Sequence, residues 1–266
     1  MKYMHFRASC AYTALAAMME RKGVHTEDYE IALDMKLPWL FAKENGAYVS
    51  GPMLQGAKWF NLWLLPRGYE MREKSFDREE LSRVLCGQEP VMLGIQTTYG
   101  KHAVVFSGYD GKYHFLNPTH EGSGESGGLC FTKEELAASV DQKTVVGKVL
   151  SAEPRPQGMT HVLYDSITAI RENCDDIESF AVVKHDPDAY FPMMNRLFRP
   201  LLLDGITMLE LAGESGLAQE FAGLQQQLMA FMRGTRSEAL GEMLSLDKLH
   251  ELGEQYIRLI EGQIHP

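Results

Sequence analysis

Arg7-Ala8-Ser9-Cys10-Ala11-Tyr12-Thr13-Ala14-Leu15-Ala16-Ala17-Met18-Met19 is the stretch from which the fold of the N-terminal half is read. From Cys10 to Met19 it is apolar on nearly every face, so the spacing predicts a helix buried inside a larger body rather than one lying on a surface. Ser9 stands at the N-cap, Cys10 in the first turn, and Gly23 ends the helix. A thiol in that turn meets free backbone N–H groups and the positive end of the helix dipole, which favour thiolate over thiol. Cys10 is therefore either an activated nucleophile or a small core hydrophobe.

The second informative stretch runs from Gly100 to Pro118. His102 starts an apolar strand, Asp110-Gly111 signals a two-residue turn, and the return strand ends at Asn117-Pro118. In such a hairpin, positions summing to about 221 face each other, so Asn117 comes near Val104 and close to His102. Cys10, His102 and Asn117 then make nucleophile, base and orienter of a cysteine-histidine-asparagine triad. Asp110 is the rival orienter, but it sits in the turn, eight residues beyond the histidine.

On these residues the chain resembles the papain-like cysteine peptidase superfamily. Within it, the chain is similar to the compact bacterial branch of peptidases that cleave double-glycine leader peptides and to the N-terminal domain of the butirosin-pathway acyltransferase. The resemblance covers roughly residues 1–150 and rests on the cysteine-bearing helix, His-x-Val-Val-x-x-Gly-Tyr-Asp-Gly, and Asn-Pro where those families usually carry Asp-Pro. It implies Cys10, His102 and Asn117 as catalytic residues. Those families place a glutamine four to six residues before the cysteine as an oxyanion donor; here the places hold Met4, His5 and Phe6, of which His5 can donate, and the usual glycine after the cysteine is Ala11.

The 266-residue chain is long enough for one large domain or two ordinary ones. No run approaches the ~20 apolar residues of a membrane-spanning helix and no secretory leader is recognisable, so the expectation is a cytoplasmic protein that does not contact membrane. Residues 1–158 hold 18 basic and 19 acidic side chains, whereas residues 159–266 hold 8 and 17. The acidity of the second part argues against nucleic acid as a partner. Cysteines 10, 86, 130 and 174 show no Cys-x-x-Cys pairing, so neither a zinc site nor a disulfide scaffold is indicated. His102, His114 and His120 have no acidic or thiol ligand at a familiar interval, and no metal or other cofactor is expected.

Further signals order the chain. Thr26 can cap a helix to about Met35, and another helix is expected from Met53 to Leu65. Trp39, Trp59, Phe60 and Trp63 either wall a groove for an acyl chain or fill the core. Asp77-Arg78-Glu79-Glu80 and Thr132-Lys133-Glu134-Glu135 are capping boxes, and Val91 to Gln96 and Thr144 to Leu150 are strands. The tract from Glu121 to Gly128 is a flap beside the site or a plain surface loop. Helices followed by successive strands indicate an α+β fold with a largely antiparallel sheet over residues 1–150. A linker at 151–158, marked by Pro154, Pro156 and Gly158, leads to an all-helical bundle at 159–266. There Leu217, Phe221, Leu224, Leu228 and Phe231 draw one apolar stripe, Pro200 kinks or splits a helix, and a last amphipathic segment begins near Ser237. The acids around Cys174 are expected to be a solvated helix end, and the bundle either docks on the catalytic domain or forms a homodimer contact. The expected activity is a thiol hydrolase, peptidase or amidase, acting on a peptide or small amide or acyl substrate through a thioester at Cys10. The alternatives are a cysteine acyltransferase and a catalytically silent binding module.

Overall fold

The buried helix expected at Cys10 is present in a computed structural model, which describes residues 2–86, 90–98, 100–183, 187–234 and 239–265. In chain order the elements are α1 (Cys10–Glu20), α2 (Asp28–Asp34), β1 (Phe41–Glu44), β2 (Ala47–Ser50), α3 (Ala57–Leu64), β3 (Tyr69–Asp77), α4 (Arg78–Leu85), β4 (Val91–Thr97), β5 (Gly100–Tyr109), β6 (Tyr113–Leu116), β7 (Gly128–Phe131), α5 (Lys133–Ala138) and β8 (Lys143–Ser151). They continue with α6 (Met159–Ala181), α7 (Pro187–Met193), α8 (Gly205–Leu211), α9 (Ser215–Arg233), α10 (Leu240–Met243) and α11 (Leu246–Ile264). The chain forms two units, one from Met1–Met35 with Gln55–Gln157, the other from Lys36–Leu54 with Gly158–Pro266.

The first unit is α+β. Its six strands run β3-β8-β4-β5-β6-β7 across one sheet, every pairing antiparallel. Alternate residues of β4, β5 and β6, among them Leu93, Ile95, Val104, Phe106 and Phe115, form a core with Leu81 and Leu85 of α4 and Leu136 of α5. Tyr12, Ala14, Leu15 and Ala16 of α1 are fully buried, as a helix apolar all round requires. Gly23 closes that helix in the left-handed conformation (φ 81°), with Val24 N–H reaching the Met19 carbonyl. Thr132 caps α5 through the reciprocal box with Glu135, as expected.

Five local expectations are corrected. Asp77 occupies the N-cap of α4 but makes no side-chain capping bond, so the box expected with Glu80 is not formed. Ser9 occupies the N-cap of α1 without capping by its side chain, whose Oγ lies 3.4 Å from Thr13 Oγ1 instead. The box at α2 is Glu27 with Glu30, one residue after Thr26. The helix expected over 53–65 is interrupted at Gly56 (φ 91°) and starts only at Ala57. The 110–111 turn is a three-residue loop: Tyr109 pairs Tyr113, so register there sums to 222, and a bulge at Ser107 restores 221 at Phe106–Phe115 and Val105–Leu116. The bulged Ser107 hydroxyl is held by the His114 carbonyl at 3.1 Å. Asn117 thus follows the strand in the position opposite Val104 that the hairpin predicts.

The second unit is not purely helical. Residues 36–54, read from sequence as part of the N-terminal domain, group with it as the β1–β2 hairpin, and Ser50 Oγ donates to the Pro200 carbonyl. Leu217, Phe221, Leu224, Leu228 and Phe231 are all buried, as their spacing predicts. Pro200 divides the apolar 190–211 stretch between two π-helical turns, in which Arg199 N–H bonds Met194 and Gly205 N–H bonds Pro200. Ser245 caps α11; the start expected near Ser237 lies outside the described residues. No helix among the described residues is long and apolar enough to cross a membrane.

Candidate active site

Asn117 is fixed before it meets the histidine. Its backbone N–H bonds the Gly127 carbonyl at 3.0 Å and its Nδ2 donates to the Ser126 carbonyl at 2.8 Å. That orientation leaves the amide oxygen as acceptor, and the half-buried His102 ring hydrogen-bonds to the Asn117 side chain and to the Pro118 backbone. Burial holds the imidazole below its ordinary pKa; the Pro118 and Asn117 bonds and the Glu125 carboxylate act the other way and lose. His102 and Asn117 are therefore brought together, with the imidazole kept from charging by burial and oriented by two hydrogen bonds.

Cys10 opens α1 with 9% of its surface exposed. The backbone groups of Ala103, Ala11 and Cys10 itself favour the thiolate, two of them the free donors expected at a helix start. Burial outweighs them and pushes the thiol above its ordinary value. Net activation of the resting thiol is thus not what the helix terminus achieves here, because the same apolar surroundings that bury the helix desolvate its first side chain. Ala103, which contacts the thiol, is the immediate neighbour of His102, yet neither His102 nor Cys10 owes any of its shift to the other. The resting pair is a neutral thiol and a neutral imidazole.

The segment before Cys10 is held from two sides. Met4 N–H bonds the Thr119 carbonyl at 2.9 Å and His120 Nδ1 contacts the Met4 carbonyl at 2.9 Å, which ties it to the residues following Asn117-Pro118. Asp28, fully buried, receives His5 N–H at 2.8 Å, His5 Nδ1 at 2.6 Å, the Thr13 hydroxyl at 3.1 Å and Tyr29 N–H at 2.9 Å. His5 therefore spends Nδ1 on Asp28, and Nε2 is the nitrogen outside that pair. Ala8 adopts φ 59°, a left-handed conformation costly for a residue with a Cβ, two positions before the thiol.

The remaining candidates fall elsewhere. Asp110 bonds His114 Nε2 at 2.6 Å, which occupies the rival orienter. His114 and His120 are engaged with Asp110 and Met4, so the three histidines 102, 114 and 120 do not assemble one ligand set. Trp59, Phe60 and Trp63 are buried in the first unit and Trp39 against Tyr256 in the second, which makes them core rather than a groove wall. The Glu121–Gly128 tract does lie at the site, through Ser126, Gly127 and Glu125. Sequence reasoning missed Asp28, since nothing in the spacing of 5, 13 and 28 announces a shared carboxylate, and missed Ala103 as a backbone contact to the thiol.

No protein-family model matches this chain, and no curated protein matches it. Among solved structures it is similar to a periplasmic domain of the EpsAB fusion protein of the Vibrio vulnificus type II secretion system, with a TM-score of 0.30 and 13% identity over 54% of this chain and 47% of that one. A likeness at that level carries no argument about fold or activity.

Proposed function

We propose that the first unit is a papain-like thiol enzyme, a peptidase or amidase, acting through a thioester at Cys10. The observation that carries the reading is the contact between Asn117, just after β6, and His102 of β5, whose next residue, Ala103, touches the Cys10 thiol through its backbone. Cys10 Sγ gives its proton to His102 as it attacks the substrate carbonyl, and the imidazolium returns the proton to the leaving group. Asn117 holds the ring for both transfers, and the Cys10 N–H faces the developing oxyanion. Because thiol and imidazole rest neutral, proton transfer accompanies attack instead of preceding it. Water resolving the thioester gives hydrolysis; an amine gives acyl transfer, the reading in which the protein is a biosynthetic acyltransferase.

The burial-raised thiol favours a second reading, a catalytically silent papain-like module that binds a partner. Incubation with p-nitrophenyl acetate followed by intact-mass spectrometry separates the two. An enzyme acquires one acetyl group at Cys10 and sheds it in water or to hydroxylamine, and His102→Ala loses the adduct. Acetylation that ignores Cys10, or that is unchanged in His102→Ala, sinks the enzyme reading.

A further inference from the structure

The acids flanking Cys174, a solvated helix end by sequence, acquire a histidine partner in the fold. Asp175 and Glu178 lie three residues apart on α6, on one face, and α11 brings His250 to them. One ligand atom from each of the three lies within 4.8 Å of the other two, and Glu178 Oε2 stands 3.1 Å from His250 Nε2. We propose that Asp175, Glu178 and His250 bind a divalent transition-metal ion of the zinc type.

Three observations support a site rather than a patch of surface charge. The first is spacing. Ligands about 2.0–2.2 Å from a tetrahedral ion sit roughly 3.3–3.6 Å from each other, so the Glu178–His250 separation is already close to that demanded, and both carboxylates are exposed. The second is room: two of the three, Asp175 and His250, line a pocket of about 160 Å³ between α6 and α11, which they share with the Arg171–Glu254 ion pair, so space for a water or small ligand adjoins them. The third is the floor of that pocket. Cys174, 3% exposed, lines it, and a Cβ at Gly253 of α11 would stand 2.9 Å from the Cys174 Sγ, so a residue without a side chain lets the helix close over a thiol.

The donor set selects the ion. An imidazole with two carboxylates suits zinc, iron, cobalt or nickel, whereas magnesium and calcium take oxygen ligands alone. Glu254, one turn beyond His250, is not counted as a ligand because Arg171 takes both its oxygens, Nε at 3.0 Å and an Nη at 3.3 Å.

The test uses the full chain, stripped with a chelator and dialysed, then titrated with zinc and, separately, with cobalt as a spectroscopic probe. The expected result is one equivalent of zinc per chain, retained against a thousandfold excess of magnesium, and visible cobalt bands of a four- or five-coordinate site. His250→Ala and the shape-conserving Glu178→Gln should each weaken zinc by at least the ~10–100-fold that changes around a metal site cost. Both side chains are partly exposed, and a matched thermal melt shows that the variants fold. Zinc that is displaced by magnesium, or that binds His250→Ala as tightly as the parent, marks an acidic face collecting cations and overturns the proposal, as does no zinc binding at all.

Discussion

Replacing Asp28 by alanine removes the acceptor of four hydrogen bonds at once, from His5 N–H, the His5 ring, the Thr13 hydroxyl and Tyr29 N–H. These donors do not suffer equally. The His5 side chain is 42% exposed and can turn to water, so its share is discounted. Thr13 is 1% exposed and keeps only neutral partners, the Ser9 carbonyl at 3.1 Å and the Ser9 hydroxyl at 3.4 Å, while Tyr29 N–H is left as an orphan donor of the first turn of α2. Two donors deprived of a charged partner at about 1–2 kcal/mol each give a loss of about 2–4 kcal/mol. Urea unfolding should be followed by tryptophan fluorescence in a Trp39→Phe background, so that Trp59 and Trp63 of the first unit report. A midpoint shift worth less than about 0.5 kcal/mol would refute the idea that Asp28 is what anchors the segment leading to Cys10.

Other outcomes follow from the same geometry. His102 is held below its ordinary value of 6.5 chiefly by burial, so the folded state binds fewer protons than the unfolded one; the stability this neutral ring contributes is present above about pH 6.5 and is lost as pH falls below it. Stability measured from pH 7.5 down to 4.5 should therefore decline less steeply in His102→Ala, and identical slopes would contradict the burial argument. Asn117→Ala removes a bond that raises the His102 pKa, so the imidazole should titrate at lower pH by NMR, with about 1–2 kcal/mol of stability lost with the Ser126 contact; an upward shift would refute the assigned pairing. In the second unit, Gly51→Ala would set a Cβ 2.6 Å from Met208 Cγ at φ 53°, for a cost of about 2–4 kcal/mol from strain and overpacking. A thermal midpoint unchanged to within a degree would show that the backbone there gives way.

What could be read from sequence is what rests on local pattern. The buried α1, the hairpin joining His102 to Asn117, the apolar stripe of α9 and the box at Thr132 each come from spacing or capping chemistry that acts within a few residues. The register of the hairpin was legible even though its turn was not: Asp110-Gly111 signals two residues, the loop takes three, and the bulge at Ser107, whose hydroxyl bonds the His114 carbonyl, absorbs the difference. Long-range effects were hidden. The thiol's state is a balance between backbone donors near in sequence and desolvation by the whole domain, and only the former can be seen in the stretch from Ser9 to Met19. Likewise residues 36–54 carry no signal that they fold with helices more than a hundred positions away, and His250 carries none that it meets Asp175 and Glu178.

Whether His102 serves Cys10 is decided by the rate of Cys10 alkylation by iodoacetamide as a function of pH, in the parent and in His102→Ala. With burial disfavouring free thiolate and a neutral His102 one residue before the Ala103 that touches the thiol, the proposed pairing gives a rate that rises at or below pH 6.5 as the imidazole loses its proton and then stays level to about pH 8. In His102→Ala that plateau should vanish, leaving slow alkylation that climbs only above pH 9, where the buried thiol itself ionises. Superimposable profiles, both climbing only in alkali, would contradict a nucleophile served by His102 and leave Cys10 as a core residue at the head of a buried helix.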